Sequence, residues 1–111
     1  MALAQVYIHK GRGEKAVKQA KRAVAKLPNS AEAHYTLGNA FLSNEEFKHA
    51  AEAFESAIGR GPNHAKAHTH LAIAYYNLQE LEQALEHARK GLSLGFREAK
   101  GIADAISKAM R

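Results

Sequence analysis

The sequence predicts an all-α fold, a superhelix of stacked helical hairpins finished by a C-terminal capping helix. Two observations predict it. The stretch Pro28-Asn29-Ser30-Ala31-Glu32-Ala33-His34 returns as Pro62-Asn63-His64-Ala65-Lys66-Ala67-His68. A fixed internal period of this size marks an array in which each unit buries its apolar face on the next. The composition agrees: Ala, Leu, Lys, Glu and Gln dominate, and these lose least on entering a helix, whereas Pro occurs twice. With 111 residues the chain fits one domain, near the size where a core gives only modest stability.

Each element can be justified in order. The opening stretch carries Leu3, Ala4 and Tyr7, which match later apolar positions when the repeat is read backwards. Gly11 and Gly13 predict a first turn, and Ala16, Ala20 and Ala23 lie on the helix that follows, which ends at Pro28. Asn29 and Asn63 are predicted to start the next odd helices, with Glu32 three residues after Asn29 as in a capping box. Ser43-Asn44 and Asn77 predict the turns inside the later hairpins. Phe47, Ala50, Ala51, Phe54, Ala57 and Ile58 alternate small and large on one helical face. Small residues let two helices approach, and Phe41 and Phe54 fill the space beside them. From Arg97 onward the repeat is lost, but Ile102, Ala103, Ile106 and Met110 keep helical spacing, as a covering helix needs.

Ala31 to His64 resembles a complete tetratricopeptide repeat. It carries Leu37-Gly38, the aromatic Phe41, then Ala50, Phe54, Ala57 and Pro62, with His34 where an early aromatic is usual. The unit from Ala65 to Phe96 resembles the family at Leu71, Ala72, Tyr75 and Ala84. It departs at Ala88, where a large aromatic is usual, and at Phe96, where Pro is usual. The resemblance implies a right-handed solenoid with three units over residues 1–96 and a cap over 97–111. The first unit, 1–30, is truncated; the second spans 31–64 and the divergent third 65–96. The bare start implies either a fragment of a longer array or a front end packed on another protomer.

The resemblance also implies a concave groove, lined by the first helix of each unit, that holds a peptide or helix. Carried over position by position, its lining is Gln5, Ile8 and His9, then Tyr35, Thr36, Asn39 and Leu42. The third unit adds Lys66, Thr69, His70, Ile73, Tyr76 and Asn77. Asn39 is the leading candidate, because an amide can pair with both the donor and the acceptor of a peptide backbone. One subclass grips C-terminal carboxylates of heat-shock chaperones with Lys, Asn and Arg. Here only Lys66 fits that set: Gln5 and Thr36 stand where Asn is usual and His70 where Arg is usual. Neutral His lacks the bidentate fork of Arg.

Charge and missing motifs narrow the function. Lys10, Arg12, Lys15, Lys18, Lys21, Arg22 and Lys26 form a basic stretch against the single acid Glu14, within a net charge of +5. Glu32, Glu45, Glu46, Glu52 and Glu55 reverse the sign in the second unit. Such polarity suits an acidic or anionic surface, or a second copy of the chain. Nucleic acid is not expected, since no module or interleaved aromatics accompany the charge. The seven His residues do not predict a metal, because His64, His68 and His70 diverge around their helix. No Cys is present and no Gly-rich phosphate loop or nucleophile–base spacing is found, so neither catalysis nor a cofactor is expected. No apolar run reaches the roughly 20 residues of a membrane span. The expected role is a cytoplasmic protein-interaction scaffold. Self-assembly and service as a regulatory module of a larger protein are the alternatives.

Overall fold

The computed structural model describes residues 10–111, apart from the side chains of Lys10, Gly11 and Arg12. Helices α1 (Lys10–Lys26), α2 (Ala31–Ser43), α3 (Phe47–Arg60), α4 (Ala65–Asn77), α5 (Leu81–Ser93) and α6 (Ala99–Ala109) follow one another, with no strand among the described residues. Consecutive helices pack in pairs down the chain, and α2 also touches α4 as α4 touches α6. The first helices of successive units therefore share one layer, backed by α1, α3 and α5. The result is an all-α helical-repeat solenoid with extents of 40 × 33 × 21 Å.

The helix starts differ by one residue from those the sequence suggests. Ser30, not Asn29, caps α2 by accepting from the Ala33 N–H at 3.1 Å. His64, not Asn63, caps α4, its Nδ1 accepting from the Ala67 N–H at 3.1 Å. A capping residue must reach the N–H three positions on, and Ser30 and His64 take the extended backbone that permits it. Glu32 is thereby displaced from its capping-box role and meets His64 Nε2 at 3.1 Å instead. The turn expected at Gly11 and Gly13 is absent, both residues lying inside α1. Gly13 is buried there because α1 passes close to Asn44: a Cβ on Gly13 would sit 2.9 Å from Asn44 Oδ1.

The turns inside the two hairpins are copies of each other. Glu45 and Gln79 both take left-handed backbone, with φ of 60° and 65°. In each, the next N–H reaches back to a carbonyl five residues earlier: Glu46 to Phe41 and Glu80 to Tyr75, both 2.9 Å. These bonds satisfy carbonyls left open where a helix ends.

Packing follows the alternation of small and large residues. Phe54 is fully buried and lies so close to Gly38 that a Cβ there would fall 2.5 Å from its ring. One unit later the same two positions hold Ala72 and Ala88, both fully buried, in a cluster with Ala84, Ala103 and Ile106. The departure at Ala88 is thus matched by the added methyl at Ala72. Helix α6 supplies Ala103 and Ile106 to that cluster, so it covers α4 and α5.

Candidate interaction groove

The layer made by α2, α4 and α6 is the surface on which the groove is expected. Gln5, Ile8 and His9 lie outside the described residues. On α2, Thr36 is exposed, and Asn39 and Leu42 are half-buried. On α4, Lys66, Tyr76 and Asn77 are exposed while His70 and Ile73 are half-buried. Asn77 has spent one donor already, its Nδ2 bonding the Ile73 carbonyl at 2.9 Å.

Two expected lining residues are instead part of the packing. Thr69 is completely buried: its hydroxyl donates to the Ala65 carbonyl at 3.0 Å and sits against Gly91, where a Cβ would come too close. It is a contact between α4 and α5, not a groove residue. Tyr35 is buried too, its ring 5.9 Å from Phe54 and 4.6 Å from His64. Only its hydroxyl serves the surface, 2.9 Å from Nδ1 of His70, with the two rings stacked at 5.4 Å. Burial, then the charge of Lys66, then that of His64 hold the His70 pKa below its ordinary value. That favours the neutral ring, whose Nδ1 shares a hydrogen bond with the Tyr35 hydroxyl.

Sequence reasoning missed the apolar end of this surface. A pocket of about 190 Å³ lies between α4 and α6, lined by Ile73, Tyr76, Ile102, Ala105 and Ile106. Tyr76 is 40% exposed, unusually open for so large a ring. Ile102 and Ile106 were legible as the apolar face of a cap, but nothing in their spacing showed that part of that face stays uncovered. The basic stretch behaves as a solvated helix face: Lys15, Lys18, Lys21, Arg22 and Lys26 are all exposed on α1. Lys10 and Arg12 begin that helix, and their side chains lie outside the description. Lys21 also covers the ring of Phe41, its Nζ 5.7 Å from the centroid.

His34 and His68 act alike as helix-packing residues: Nε2 of each lies 2.9 Å from a proline carbonyl, Pro28 and Pro62. Among the described residues no group of three or more His, Asp or Glu side chains could hold a metal, and no helix is long and apolar enough to cross a membrane.

The sequence model of the family described as anaphase-promoting complex, cyclosome, subunit 3 matches residues 9–91. The chain belongs to this tetratricopeptide-repeat family. Solved structures, tetratricopeptide-repeat domains among them, agree in fold. The first such domain of Spaghetti (RPAP3), bound to an HSP90 peptide, superposes with a TM-score of 0.85 at 22% identity, covering 94% of this chain and 84% of that one. MamA gives 0.75 at 29% identity over 92% of this chain and 67% of its own. PcrH, in complex with the chaperone-binding region of PopD, gives 0.84 at 16% identity over 98% and 93%. No curated protein matches the sequence.

Proposed function

We propose that the chain is a cytoplasmic adaptor that holds a peptide or helix of a partner along α2, α4 and α6. The observation that carries this reading is the uncovered Tyr76 beside the apolar pocket of Ile73, Ile102, Ala105 and Ile106. A half-exposed aromatic at the mouth of an apolar pocket is the kind of anchor on which interface energy concentrates. The partner places an apolar side chain there. Asn39 pairs with its backbone, while Lys66 favours an acceptor or anionic group at the other end of α4. Structures of similar fold, the Spaghetti domain and PcrH, hold polypeptide segments. The chaperone-tail variant of that binding is disfavoured here, since Thr36 stands where Asn is usual and neutral His70 lacks the bidentate fork with which Arg holds a carboxylate.

The test is selection of binding peptides from a random library, followed by NMR mapping on the labelled chain. Selected peptides are expected to shift amides of α2, α4 and α6. Tyr76→Ala should weaken them by about tenfold or more, the scale of an interface anchor, and Asn39→Ala less. Peptides that shift only α1, α3 and α5, or that ignore Tyr76→Ala, sink the reading.

The polarity of charge favours a second reading, self-assembly. The exposed cations of α1 on one copy would meet the outer faces of α3 and α5 on another, where Glu52, Glu55, Glu82 and Glu86 are exposed.

A further inference from the structure

His68 on α4 and His87 on α5 face each other behind the groove layer, their Nδ1 atoms 3.1 Å apart. His68 is only 6% exposed, and both of its ring nitrogens are engaged. The Pro62 carbonyl can only accept, so Nε2 of His68 carries a hydrogen. Nδ1 of neutral His68 is then an acceptor, and the hydrogen between the rings must come from Nδ1 of His87. Ring centroids 5.3 Å apart, with planes 22° from parallel, put the two nitrogens nearly head-on. That is the geometry of a direct N–H···N bond, not of two lone pairs converging on a metal.

We infer that this pair is an acid-sensitive latch between α4 and α5, able to hold one added proton but not two. The first proton goes to the outer nitrogen, Nε2, of His87; it leaves the bond intact but puts a charge on a half-buried ring. The second must go to Nδ1 of His68, setting N–H against N–H between two adjacent cations. Neighbouring charges do not decide the matter. Glu55 of α3 and Glu86 of α5 draw protons toward His87, while Arg89 and Lys90 of α5 line the same cleft with the opposite sign. Tyr75 of α4 stacks on His87 at 5.8 Å and gives its hydroxyl to Glu55. Burial, then His68, keep the His87 pKa below its ordinary value. A folded pKa below the unfolded one means that stability is complete above about pH 6.5 and is lost as pH falls below it.

The second unit provides an internal control. His34 makes the same bond to a proline carbonyl, but the position matching His87 is Ala53, so no second imidazole opposes it. Its Nε2–H survives protonation.

The experiment is denaturant unfolding of the full chain between pH 7.5 and 5.0, on wild type, His87→Asn and His34→Phe. Asparagine keeps an N–H donor near the Nδ1 position and cannot titrate. The folding equilibrium constant of wild type should fall severalfold more than that of His87→Asn over this range, because only the wild-type pair loses stability to a proton on His87. His34→Phe should keep the wild-type pH slope. Parallel profiles for wild type and His87→Asn would overturn the latch. Nitrogen NMR of wild type at pH 7.5 tests it independently of any variant: Nδ1–H on His87 with Nε2–H on His68 supports it, and any other tautomer pair refutes it. Zinc, copper or nickel ions that raise the wild-type Tm at pH 7.5, but not that of His87→Asn, would make the pair a metal site and overturn the latch.

Discussion

At Glu45 and Gln79 the backbone adopts a conformation that costs an L-residue about 1 kcal/mol and a glycine almost nothing. Neither hairpin can avoid it, because the tight reversal between helices needs one left-handed residue to aim the next N–H at the open carbonyl. Glu45→Gly and Gln79→Gly should each raise stability by about 0.5–1 kcal/mol, read as a higher denaturant midpoint at unchanged slope. An unchanged or lower midpoint would show that the left-handed backbone at these two residues holds no strain larger than the freedom glycine adds to the unfolded chain. At this scale the sequence was half legible. Ser43-Asn44 and Asn77 announced turns, yet no glycine marked the strained residue itself. The caps were read one residue early because Asn29 and Asn63 are better capping types than His64. What decides is which residue the preceding proline leaves extended at the right distance. Thr69 illustrates the same limit, since only the closeness of Gly91 shows that its hydroxyl turns inward.

Between elements, one volume is distributed differently in the two complete hairpins. In the second unit Phe54 supplies it and Gly38 makes room; in the third Ala72 and Ala88 share it. Gly38→Ala is therefore expected to destabilise by about 1–3 kcal/mol through overpacking, and Phe54→Ala by about 3–5 kcal/mol through the cavity it leaves. The paired change Gly38→Ala with Phe54→Ala should cost less than the sum of the two, a coupling that a double-mutant cycle measures. Additive costs would show that the ring and the glycine do not share a space. This level was the most legible from sequence, because helix pairing depends on the spacing of Ala50, Ala57, Ala84 and their neighbours, which a single repeat alignment exposes. The apolar pocket between α4 and α6 was not legible. It depends on how far the cap covers its neighbour, and helical periodicity fixes which residues face inward but not how completely they meet.

Across the whole molecule, a cationic α1 at one end stands against carboxylates on the outer helices. If copies associate through these faces, light scattering after size-exclusion chromatography should show concentration-dependent growth at low salt that disappears near 1 M salt, where the screening length is about 3 Å. A constant monomer mass at every salt would leave the groove as the working surface. The charge reversal was plain in the sequence; whether two such faces can dock was not, since that depends on their relative orientation. The arrangement of the layers carries one more consequence. Helix α4 touches α2 on one side and α6 on the other, and is flanked along the chain by α3 and α5. In an array whose energy is a sum of neighbour terms, such a helix has the most neighbour contacts to lose before it can open. The helix that would offer Lys66, His70, Ile73 and Tyr76 to a partner is therefore expected to be the last to unravel, which the slowest amide hydrogen exchange in the chain would show.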